Sequence, residues 1–165
     1  MNLRIGLAAY LLILLISTNA SADGGGHKEV LPDETVIGIS LVCSFLTYFF
    51  IQKFSNFELE SEERIASSLI MFTIVVHTIL GIDDLKLLAG AVGFLGFGIT
   101  FFVFKIPFVE DNRTNISYLF MMYTLSIVIF YVYLHPDLTK NGSYDLVGIL
   151  TKIAEVGIIA LLLRN

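Results

Sequence analysis

Thr73, His77, Gly81 and Asp84 follow one another at steps of four, four and three residues, the spacing of a single stripe along a helix. Imidazole and carboxylate together suit a borderline divalent ion such as Ni, Cu or Zn. Asp83 adjoins the stripe, and His135 ends a later apolar run close to Asp137 and Asp145. His77, Asp83, Asp84 and His135 are therefore the candidate metal ligands. Gathered from different helices around an open position, such a set serves transport or catalysis. The same residues also have a plain structural reading. An Asp at the start of a helix caps free N–H groups and matches the positive end of the dipole. A neutral His77 hydrogen-bonded to a neighbouring helix, and a water-exposed turn at His135-Pro136-Asp137, complete that alternative.

A second constellation lies near the C-terminal end of the sequence. Lys152 and Glu155 stand three residues apart on one helical face with Gly148. A charge at the centre of a bilayer costs at least about 2.5 kcal/mol on insertion scales, and an i,i+3 pair lowers that cost by mutual neutralisation. Lys152 can lean toward the N-terminal end of its helix and the outer surface. Glu155 has no such escape and must face protein, as half of an intramembrane ion pair or as a proton- or cation-relay carboxylate. A third feature is the glycine series Gly90, Gly93, Gly96 and Gly98, which permits close backbone contact between membrane helices. It serves packing within the chain or against a partner subunit.

The elements that position these groups follow from composition. Of 165 residues, 56% are hydrophobic and 15% charged, and the mean hydropathy is +0.82. Soluble domains carry about a quarter charged residues, so lipid is the expected solvent. Apolar runs cover about residues 35–52, 65–82, 85–104, 116–134 and 146–163, each near the roughly 20 residues needed to cross a hydrocarbon core. They lack period-two alternation, which selects helices over barrel strands. All three prolines, Pro32, Pro107 and Pro136, fall between the runs, where the missing N–H costs a helix nothing.

Upstream, Arg4, an apolar stretch over residues 5–16 and the pattern Ala20-Ser21-Ala22 read as a secretory signal cleaved after Ala22. Residues 23–34 would then form a flexible external tail, and residues 35–165 an all-α, five-helix transmembrane bundle. With Arg4 inside, Lys53, Arg64, Lys105, Arg113 and Arg164 fall on the cytoplasmic side, and Lys28, Lys86 and Lys140 outside. The positive-inside rule thus gives an N-out, C-in orientation, and a prokaryotic plasma membrane is the expected location. Glu58, Glu60, Glu62 and Glu63 make an acidic cytoplasmic loop, a solvated face or a dock for a basic partner.

Several functions are disfavoured. The formal net charge of -5 and the lack of a basic cluster argue against nucleic acid. The single cysteine, Cys43, allows no intrachain disulfide. No G-x-S-x-G, H-E-x-x-H, P-loop or dinucleotide-binding glycine pattern occurs in the sequence.

The row His77, Gly81, Ile82, Asp83 and Leu85 resembles the H-x3-G-[LI]-D-H-L-L motif of the HupE/UreJ family of small membrane proteins. That family is regarded as nickel or cobalt permeases. The resemblance implies metal-binding roles for His77 and Asp83. The sequence differs from the motif at Asp84, where the family has a second histidine, and at Lys86, where it is apolar. Two main expectations follow. One is a small non-catalytic subunit or assembly factor of a larger membrane complex, with other membrane subunits as partners. The other is a divalent metal-ion permease. A membrane-embedded metalloenzyme is a distant third.

Overall fold

In the computed structural model, residues 31–164 are described except 56, 83, 105–106, 135–138 and 141–142. The expected signal segment and most of the external tail therefore lie outside the described residues. The helices are α1 (Asp33–Phe54), α2 (Ser61–Leu80), α3 (Leu85–Phe102), the five-residue α4 (Pro107–Asp111), α5 (Arg113–Leu134) and α6 (Leu146–Leu162). A two-residue antiparallel ladder between β1 (Thr139–Lys140) and β2 (Ser143–Tyr144) joins α5 to α6. Among the described residues, α1, α2, α3 and α5 are long and apolar enough to cross a membrane, as expected of a multi-pass membrane protein. The fifth long helix, α6, has 17 residues, or about 26 Å at 1.5 Å per residue.

Local chemistry sets the helix ends. Hydropathy alone starts the second helix at residue 65, whereas α2 begins at Ser61. The cause is a capping box: Glu60 accepts from the N3 backbone, and the Glu63 side chain accepts from the Glu60 N–H at 3.1 Å. Asp84 caps α3 by accepting from the Lys86 N–H at 2.8 Å. Asp145 caps α6, accepting from the Gly148 N–H at 2.8 Å. α4 opens on Pro107, whose fixed φ and missing N–H suit the first helical position.

α2 is the hub of the bundle. It packs against α1, α3 and α6, and α6 in turn packs against α5. One apolar cluster joins Ile70 and Ile74 of α2 with Phe94 and Phe101 of α3, Phe120 of α5 and Ile158 of α6. Within it the Phe97 and Phe120 rings stack at 4.5 Å. A second cluster joins Val36, Phe72, Val76, Val147 and Ala154. Small polar residues tie α1 to α2. Ser44 Oγ donates to the Ser68 carbonyl at 2.9 Å, and Ser68 Oγ donates back to the Ser44 carbonyl at 3.0 Å.

The glycines of α3 divide by surroundings. A Cβ on Gly90 would lie 3.1 Å from Cδ2 of His77, and one on Gly98 would lie 3.2 Å from Ile70. At Gly93 a Cβ would collide with the Tyr123 hydroxyl, while at Gly96 nothing among the described residues lies within 4 Å. Three of these positions thus admit a neighbouring helix, and the fourth faces outward.

Three arginines mark one end of the bundle. Arg64 donates to the Tyr48 carbonyl through Nε and Nη2 at 3.1 and 3.0 Å. Arg113 pairs with Glu63, and Arg164 with Glu62 at 2.8 Å. The last two links fasten the start of α5 and the end of α6 to the first turn of α2.

Candidate functional site

At the heart of the bundle, α2 and α6 each turn an ionisable residue inward. Side chains lean toward the N-terminus of their own helix. In this antiparallel pair His77 therefore tilts toward the middle of the bundle, and Lys152 and Glu155 tilt toward the opposite end. They meet there. The His77 side chain is 4% exposed and that of Glu155 is 0% exposed, with Nε2 and Oε1 3.7 Å apart. Lys152 Nζ donates to both oxygens of Glu155, at 2.7 and 2.6 Å.

The hydrogen bonding fixes the histidine tautomer. Nδ1 lies 2.9 Å from the Thr73 carbonyl, and a carbonyl can only accept. Nδ1 therefore carries the proton, and in the neutral ring Nε2 turns a lone pair toward Glu155. Thr73 Oγ1, also buried, has no hydrogen-bond partner among the described residues. Gly90 makes room for the imidazole, and the Phe94 ring lies 5.8 Å from it. Tyr123 Oη donates to the Gly90 carbonyl at 2.9 Å, fixing α3 to α5 beside the site.

Polar contacts continue from this centre toward the start of α6. Lys152 Nζ sits 5.1 Å from the centroid of the Tyr131 ring, within reach of a cation–π interaction. Tyr131 Oη donates to Asp145 Oδ2 at 2.9 Å. Thr73, His77, Glu155, Lys152, Tyr131 and Asp145 thus form one connected series across α2, α5 and α6.

The sequence candidates fall into three groups. Lys152 and Glu155 are brought together, with His77 as their third member. Asp84 is exposed and engaged in capping α3, at the end of that helix rather than at the centre of the bundle. Asp83 and His135 lie outside the described residues. Among the described residues no group of three or more His, Cys, Asp or Glu side chains is arranged to hold a metal ion. Sequence reasoning missed the pairing of His77 with Glu155 and the part taken by Tyr131. One signal was there: His77 and Glu155 are ionisable residues well inside apolar helices, and such groups pair with one another.

Comparison with protein-family models, curated proteins and solved structures finds no match.

Proposed function

We propose that this chain crosses the membrane five times, N-terminus out and C-terminus in, and serves as a small non-catalytic subunit or assembly factor of a larger membrane complex. The arrangement of charge carries this reading. The inward-facing ionisable side chains of α2 and α6 are gathered on one another: Lys152 donates to both oxygens of Glu155, and Nδ1 of His77 is held by its own helix. Such a cluster lies where α2 packs on α6 and presents little to a substrate. Outside, α1 and α5 are the least buried of the long helices. They offer bands of exposed apolar side chains, including Phe45 and Phe49 on α1 and Met122 and Ile129 on α5, which suit lipid and neighbouring subunits alike.

The deciding experiment is the native mass of the protein extracted from its own membranes in a mild detergent. A large particle with fixed companions supports the subunit reading. A small homo-oligomer without companions refutes it. One observation favours the divalent metal permease as a second reading: the Nε2 lone pair of His77, a carboxylate oxygen and the unpartnered Thr73 Oγ1 belong to the same buried region. Nickel, cobalt, copper and zinc content of the purified protein tests it. His77→Ala is expected to remove the metal, and unchanged metal content in that variant counts against a His77 site.

A further inference from the structure

At the arginine end, the last turn of α3, the first turns of α5 and the end of α6 enclose a cavity of about 230 Å³. Its polar side comes from α5. Arg113, Thr114, Ser117 and Tyr118 line it, at spacings that keep them on one helical face. Its apolar side comes from Phe102, Met121 and Leu162.

The polar groups are unusually free for side chains gathered around a cavity. Arg113 uses only Nη2 on Glu63 and rests over the Phe101 ring at 5.9 Å. Its Nε and Nη1 donors have no hydrogen-bond partner among the described residues, and its side chain is 42% exposed. The hydroxyls of Thr114, Ser117 and Tyr118 likewise have none there. Several donors therefore converge beside an oily wall. The nearby acids do not fill the space: Glu63 takes one edge of the guanidinium, Glu62 is paired with Arg164, and Glu110 and Asp111 on α4 are exposed.

We propose that this cavity binds the phosphate group of a membrane glycerophospholipid. The free edge of the Arg113 guanidinium meets two phosphate oxygens, a pairing for which its planar fork is suited. The hydroxyls of Thr114, Ser117 and Tyr118 donate to the remaining phosphate and glycerol oxygens. The volume admits a headgroup but not acyl chains, which run out over Leu163, an exposed leucine that also lines the cavity. A soluble phosphate compound would have no use for that wall, and this difference selects a lipid as the occupant. Glu63, on the other edge of Arg113, holds the guanidinium in place as the phosphate arrives.

The test is native mass spectrometry of the delipidated full-length protein in detergent, titrated with phosphatidylglycerol. One lipid per chain is expected to survive collision energies that strip the rest. Arg113→Gln should weaken its binding by about tenfold or more, the loss expected of a charge-assisted contact. Because that variant also loosens the Glu63 pair, the double variant Thr114→Val/Ser117→Ala provides a control that leaves the pair intact. It should weaken binding several-fold. Equal lipid retention by wild type and both variants overturns the proposal. So does displacement of the lipid by inorganic phosphate or glycerol phosphate, which would identify a soluble ligand.

Discussion

Replacing Glu155 with alanine strands the Lys152 ammonium inside the bundle, where its side chain is only 14% exposed. Two short charge-assisted hydrogen bonds disappear. Removing one partner of a buried ion pair typically costs about 3–5 kcal/mol, because the remaining charge is uncompensated. At about 2–4 °C per kcal/mol for a chain of this size, the unfolding midpoint should fall by roughly 6–20 °C. The protein carries its own reporter. Its sole cysteine, Cys43, is free and half-buried on α1, so a thiol-reactive fluorophore follows unfolding in detergent. The decisive comparison is with Lys152→Met/Glu155→Leu, which removes both charges and fills similar volume. Replacing a whole buried pair with apolar groups is often neutral or stabilising, so the double variant should melt well above Glu155→Ala and near wild type. A single variant that melts like wild type, or a double variant no better than the single, would refute the ion-pair argument.

The α3 glycines give a paired prediction in the same assay. Gly90→Ala presses a methyl against the His77 ring and should destabilise, whereas Gly96→Ala meets open space and should be neutral or stabilise by up to about 1 kcal/mol through helix propensity. Tyr131→Phe keeps the ring beside Lys152 but removes the hydrogen bond to Asp145. It should lower stability by about 1 kcal/mol, read as a fall of a few degrees in melting midpoint. Asp84→Ala removes the α3 cap and should cost about 0.5–2 kcal/mol, with the metal content of the protein unchanged if capping is its whole role.

The helices were legible because uninterrupted apolar runs leave few alternatives once lipid is the solvent. Their ends were less so. Hydropathy begins a segment where charge stops, whereas α2 begins where Glu60 and Glu63 satisfy free N–H groups, one turn into the polar loop. The ladder Thr139–Lys140 with Ser143–Tyr144 is too short to leave a periodic pattern. The capping role of Asp84 could be read locally, since it depends on the next two residues. The meeting of His77 with Glu155 could not. Those residues are far apart in sequence, and their contact exists only because α2 and α6 lie antiparallel with this register. The sequence identified Lys152 as a partner for Glu155 and a neighbouring helix as the partner of His77, without identifying Glu155 as the group His77 would meet.

Glu155 and Lys152 belong to α6, whereas the surfaces that receive them belong to α2 and α5. During synthesis α2 enters the membrane long before α6 has been made, and His77 waits there without its counterpart. α1, α2 and α3 can associate early through serine contacts and close-packed glycine. The face of α2 that carries His77 is covered by α6 only once that last helix arrives. Closure of the bundle is thus timed to the emergence of its last described helix. A chain halted before Leu146 would leave a membrane intermediate with His77 uncovered on the α6 side, the kind of defect that quality-control proteases can distinguish from a completed fold.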